Sequence, residues 1–197
     1  HDSLISLMEG VEDIPDVVLT EGLEWNWNSF SDYLNILDNK GFDMDIGAQI
    51  PHGALRLYVM GQRGADREPA TEEDIKKMAE LSAEAIECGA IGFTTSRTVF
   101  HKTSKGELVP SFDAAGNELI QIAREIGKTG KGVLQLVSDF LGGYEEFKML
   151  EKMVEASGCP ISITLAQTDG TKYDYKDLLG WIEDAANRGL PVRAQAC

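Results

Sequence analysis

Ile161-Ser162-Ile163-Thr164-Leu165-Ala166 is a short, β-branched run behind Pro160. After the helical spacing of Lys176 to Asn187, a second run follows at Val192-Arg193-Ala194-Gln195-Ala196. The two starts lie about 30 residues apart, the length of a minimal βαβ unit, and the right-handed crossover makes such strands parallel neighbours. The same alternation extends towards the N-terminus. Val133 to Val137 reads as a strand before a helix over Tyr144 to Ala156, with Phe147, Leu150 and Val154 on its inner face. Leu119, Ile122, Ala123 and Ile126 recur at helical spacing until Gly127 and Gly130 break the pattern, and Ala90 to Thr95 reads as a buried strand. A helix of about 18 residues opens at Thr71-Glu72-Glu73-Asp74, a capping box with Asp in place of the usual Glu, and ends at Gly89. A first strand, Met44 to Ile50, follows the helical stretch Phe30 to Leu37. Five strands alternating with helices, and no Gly-rich dinucleotide turn, predict an α/β fold that is part of a (β/α)8 barrel rather than a Rossmann sheet.

Eight barrel strands need about 250 residues. The 197 residues here open on His1-Asp2 and stop at Cys197 in a strand-like stretch. Residues 1–197 are therefore expected to form a single domain of about five βα units, an internal piece of a barrel cut at both ends. Hydrophobic residues make up 43% and charged residues 26%, which excludes disordered, collagenous and coiled-coil classes. The formal net charge of −15 leaves no electrostatic basis for gripping phosphates, so neither nucleic acid nor an anionic membrane is an expected partner. Apolar runs fall far short of a bilayer span. Cys88, Cys159 and Cys197 are odd in number and widely spaced, which argues for a reducing compartment, the cytoplasm by default.

In α/β architectures the carboxyl ends of the strands hold the site, and that rule selects five places. They are Pro51-His52-Gly53-Ala54-Leu55-Arg56, then Thr95-Ser96-Arg97-Thr98 with His101, then Gln135, Ser138 and Asp139, then Gln167, Thr168 and Asp169, and finally Gln195. His1, His52 and His101 are about fifty residues apart, with no HxH or HExxH, so the segment shows no metal site of its own. No Gly-x-Ser-x-Gly elbow is present, and Ser96 has no evident base in sequence. Gly61-Gln62-Arg63-Gly64-Ala65-Asp66-Arg67 reads either as an anion clamp or as a loop tied to itself by ion pairs. Arg97 offers a bidentate fork to a carboxylate or forms an ion pair, and Asp139 reads as base, ligand or helix cap.

Several blocks are similar to the N-acyl-D-amino-acid deacylase (D-aminoacylase) branch of the amidohydrolase superfamily. They are Leu4-Ile5-Ser6-Leu7-Met8-Glu9-Gly10-Val11-Glu12-Asp13-Ile14-Pro15, Glu21-Gly22-Leu23-Glu24-Trp25-Asn26-Trp27, Pro51-His52-Gly53-Ala54-Leu55-Arg56, Arg63-Gly64-Ala65-Asp66-Arg67-Glu68-Pro69-Ala70-Thr71, Gly92-Phe93-Thr94-Thr95-Ser96-Arg97-Thr98 with His101, and Ser138-Asp139-Phe140. They run in the family's order over nearly the whole chain, which matches the middle of a full member. The resemblance implies a metal-dependent amidohydrolase barrel that hydrolyses the amide of an N-acylated D-amino acid. Zinc or another divalent metal would be held mostly by ligands outside this segment. The regions where the family places histidines after two middle strands read here Val133-Leu134-Gln135-Leu136-Val137-Ser138-Asp139 and Ile163-Thr164-Leu165-Ala166-Gln167.

On that reading His52, Ser96 or His101 polarises or orients the acyl carbonyl, Arg97 and Arg56 hold the substrate carboxylate, and Gln135, Ser138, Asp139 and Gln167 complete the binding site. The partner is then a small acylated amino acid. Two rivals stand beside it. The segment alone is an inactive piece that self-associates through exposed barrel edges, or the substrate is a cyclic amide, as in hydantoinases and dihydroorotases.

Overall fold

A computed structural model describes residues 2–166 and 173–196. Three helices come first, α1 (Asp2–Glu12), α2 (Asp16–Gly22) and α3 (Phe30–Asn39). Then follow β1 (Gln49–Pro51), α4 (His52–Met60), α5 (Gln62–Ala65), α6 (Glu72–Glu87), β2 (Gly92–Arg97), α7 (Gly116–Gly127), β3 (Val133–Ser138), α8 (Tyr144–Ser157), β4 (Ile161–Leu165), α9 (Tyr175–Asn187) and β5 (Val192–Ala196). The strands pair in chain order, β1-β2-β3-β4-β5, and every pairing is parallel. Sequential order without a reversal is barrel topology, since a doubly wound sheet would switch direction.

The local signals act as expected at most helix starts. Thr71 caps α6 by accepting the Asp74 N–H, and the Asp74 carboxylate accepts the Thr71 N–H, completing the box with Asp. Asp74 also takes a 2.6 Å bond from Arg63, which holds its pKa down to about 2. The Gly61–Arg67 loop is thus tied down, with Arg63 on Glu68 and Asp74 and Arg67 near Asp113.

The first strand differs from expectation. It is three residues long and ends at Pro51, and α4 starts at once with His52, where a loop was read. The buried positions of α4 are His52, Leu55, Arg56 and Met60, a helical face whose periodicity is hidden because two members are polar. Helices α1 and α2 were also missed.

The sheet has two unlike faces. Val133 is 37% exposed while Leu134 and Leu136 are fully buried, and the alternation repeats along β1, β2 and β4, whereas β5 is exposed beyond Val192. Ile50, Phe93, Leu134, Leu136, Ile161, Ile163 and Val192 face the helices and form the core with them. The opposite face carries Gln49, Thr94, Ser96, Gln135, Ser162, Thr164, Arg193 and Gln195. Parallel strands covered on both sides are near-continuously apolar. Here only the helix side is covered, and the other face carries mainly hydroxyls and amides, with Val133, Val137 and Arg193 among them. No helix among the described residues is long and apolar enough to cross a membrane.

Candidate functional site

Beneath the sheet's helix side lies a closed polar network. His52, the first residue of α4, and Arg56, one turn later, meet Glu118 from the first turn of α7. All three are at most 1% exposed. Arg56 Nη1 lies 2.5 Å from both Glu118 oxygens, and Nη2 donates to the Glu68 carbonyl at 2.6 Å. His52 Nε2 is 2.8 Å from Glu118 Oε1, and Nδ1 is 2.9 Å from Thr95 Oγ1 of β2. Burial disfavours the imidazolium and lowers the His52 pKa against the pull of Glu118. Burial opposes ionisation of Glu118 too, but hydrogen bonds from His52 and Arg56 and the charge of Arg56 outweigh it and lower its pKa. An ionised carboxylate only accepts, so a neutral His52 donates from Nε2 and accepts the Thr95 hydroxyl at Nδ1. Both nitrogens of His52 and the fork of Arg56 are therefore engaged within the protein.

This network has a pH signature. The ordinary His52 value is 6.5 and that of Glu118 is 4.5, and both are lowered in the folded chain. Below each ordinary value the unfolded chain takes up a proton that the folded chain refuses. Stability therefore falls with pH, first below 6.5 and again below 4.5, with a limiting slope of about 1.4 kcal/mol per pH unit per group. Melting temperature should drop between pH 7 and 5, and His52→Gln should flatten that limb. Equal slopes in the two proteins would show that other groups carry it.

At the carboxyl end, two carboxylates hold the loops. Arg97 alternates with Thr95 and Phe93, so it lies on the helix side, where Nε donates to Glu146 Oε1 of α8 at 2.8 Å and Nη1 to the Ala114 carbonyl at 2.7 Å. Ser138 Oγ donates to the same Glu146 oxygen at 2.7 Å. Asp139 takes Thr98 Oγ1 at 2.6 Å and the Val99 N–H at 2.7 Å, clamping the loop after β2 to the loop after β3. Arg56, Arg97, Ser138 and Asp139 are thus all joined to protein partners, and both arginines lie behind the sheet.

The open face gathers a different set. Ser96 Oγ is 2.8 Å from His101 Nδ1 at the end of β2. Gln135 Oε1 accepts from Gln49 Nε2 at 2.8 Å, and Gln195 Nε2 donates to Ser162 Oγ at 2.9 Å. Ser96, His101, Gln135 and Gln195 are the expected site residues that lie on this face, and Gln167, Thr168 and Asp169 lie outside the described residues. Glu118, Glu146 and Arg193 were missed. Glu118 had a signal, since it stands one place before Leu119 on the buried face of α7.

The described residues do not fit a metal ion of their own. No cluster of three or more His, Cys, Asp or Glu is placed to hold one, His52 has both nitrogens bonded, and the Asp139 oxygens are both taken.

The model of the amidohydrolase family matches residues 1–195. The chain belongs to the amidohydrolase family. A D-aminoacylase of Alcaligenes xylosoxydans xylosoxydans is 29% identical to this amidohydrolase chain over 128 residues, 65% of this chain and 24% of that protein. A solved D-aminoacylase with a binuclear metal centre superposes with a TM-score of 0.68 at 23% identity, covering 85% of this chain and 33% of that one. N-acyl-D-glutamate deacylase from Bordetella bronchiseptica, complexed with zinc and a phosphonate mimic of the tetrahedral intermediate, gives 0.65 at 18% identity over 84% and 33%. These likenesses show the amidohydrolase barrel fold. This chain spans about a quarter of the curated relative and a third of the solved chains.

Proposed function

We propose that the amidohydrolase chain supplies part of the barrel wall and substrate site of a metal-dependent hydrolase that cleaves the linear amide of N-acyl-D-amino acids. One observation carries this reading. The family match spans residues 1–195, and the sheet inside it turns a polar face away from its helices. The carboxyl end of that face is where a barrel holds its substrate. Ser96 and His101 stand at its carboxyl end and orient the acyl carbonyl, while Gln135 meets the amide. His52, Arg56, Ser138 and Asp139 set the positions of these strands and loops. The metal, zinc or another divalent ion, is held by residues other than those described. The free thiols of Cys88 and Cys159 suit the cytoplasm.

The test is hydrolysis of N-acetyl-D- and N-acetyl-L-amino acids and of a hydantoin by the full-length protein, before and after chelation. Cleavage of the D-isomer that is lost on chelation and restored by zinc is the expected result. Cleavage of the hydantoin alone would move the substrate to cyclic amides, and equal rates on D and L would remove the stereochemical assignment.

A second reading rests on the sheet's edges. Among the described residues β1 and β5 each pair on one side only, and open edges recruit other strands. Expressed by itself, the chain should self-associate, and light scattering that finds a compact monomer at every concentration would count against it.

A further inference from the structure

The chain has seven arginines, and five of them face carboxylates: Arg56 on Glu118, Arg63 on Asp74, Arg67 on Asp113, Arg97 on Glu146 and Arg188 on Glu151. Arg124 borders a surface cleft of α7 and α8 with Lys152 and Glu155. Arg193 differs from all of these. It follows Val192, whose 1% exposure marks the helix side, so strand alternation puts Arg193 on the open face. It is exposed there, and its one hydrogen bond among the described residues runs from Nη1 to the neighbouring Val192 carbonyl. None of the five strands contains an acidic residue. In a chain with 33 acidic and 18 basic side chains, the sheet's open face carries a single charge among the described strand residues, and it is positive.

The register sets what stands beside it. Arg193 pairs with Ser162, Ser162 with Gln135, and Gln135 with Thr94, one row across four strands. With strands about 4.8 Å apart, Ser162 is about 5 Å and Gln135 about 10 Å along the row. Gln49 gives its amide N–H to Gln135, and its own Oε1 is buried with no hydrogen-bond partner among the described residues. The row therefore begins in a guanidinium with no carboxylate partner among the described residues and continues through a hydroxyl and an amide to Thr94. An N-acylated amino acid supplies the carboxylate that such a guanidinium binds.

We infer that Arg193 is the carboxylate-binding residue of the substrate site. This deepens the proposed function and rests on it. It also replaces Arg97 and Arg56, whose forks are engaged behind the sheet.

The test compares the full-length protein with Arg193→Met and Arg193→Lys, on an N-acetyl amino acid and on the same compound with its carboxylate converted to a carboxamide. Arg193→Met should raise KM for the acid roughly ten- to a hundredfold, with kcat changed little, because the carboxylate is held alike in ground and transition states. It should leave the carboxamide unaffected, and Arg193→Lys should recover part of the loss, since a point charge does not reproduce the fork. Equal effects on acid and carboxamide, or none on either, would overturn the assignment. Calorimetric titration with N-acetylglycine gives a second readout that needs no turnover. Binding weakened at least tenfold in Arg193→Met, with an unchanged melting temperature, supports the assignment even if hydrolysis is absent and the functional reading fails. Equal binding overturns it.

Discussion

Glu118→Ala should cost about 3–5 kcal/mol of stability, the loss found when one partner of a buried ion pair is removed. The substitution leaves the Arg56 guanidinium, 1% exposed, with only the Glu68 carbonyl as a polar partner, and removes the acceptor of the His52 Nε2 hydrogen. Arg56 Nε is already buried without a partner among the described residues, so the site has no spare acceptor to offer. In a domain of this size 1 kcal/mol moves the melting temperature by about 2–4 °C, so a fall of roughly 10 °C is expected. The double variant Arg56→Met with Glu118→Leu separates charge from packing. It removes both ions at similar volume, and such replacements are often neutral or stabilising. It should therefore melt well above Glu118→Ala. A double variant as unstable as the single one would mean that the network's shape, rather than an orphaned charge, is what the fold requires.

That network also explains where the sequence was and was not legible. Strands β3, β4 and β5 were readable because each opens on Val or Ile behind a helix, and β-branched residues suit a pleated, half-buried surface. The α4 helix was not, because half of its buried face is His52 and Arg56, which hydropathy counts as surface residues. Only the partner, Glu118, 62 residues beyond Arg56, makes that face burial-competent, and no local window contains both. Arg97 was half legible in the same way. Position at a strand end was legible, but the face it occupies depends on the parity of the strand, and one residue of register separates the open face from Glu146. Ser96, its neighbour, falls on the open side.

Two glycine substitutions of the same chemistry should move stability in opposite directions. Gly92 opens β2 between Gln49 of β1 and Val133 of β3. A Cβ built there meets the Val133 carbonyl oxygen at a distance that real side chains do not adopt, with the Val133 carbonyl carbon at 3.0 Å. The obstacle is backbone in a neighbouring strand, so no rotamer change relieves it and the strands must separate. Overpacking of this kind costs about 1–3 kcal/mol and occasionally more, and Gly92→Ala belongs at the upper end because the β1-β2-β3 pairing passes through this residue. Gly180 lies inside α9 with nothing within 4 Å of its added Cβ and no positive φ. There the backbone entropy of glycine dominates, and Gly180→Ala should stabilise by about 0.5–1 kcal/mol. Chemical denaturation measures both. A Gly92→Ala protein as stable as the parent would mean that β2 and β3 approach less closely at their start than the Val133 carbonyl contact implies.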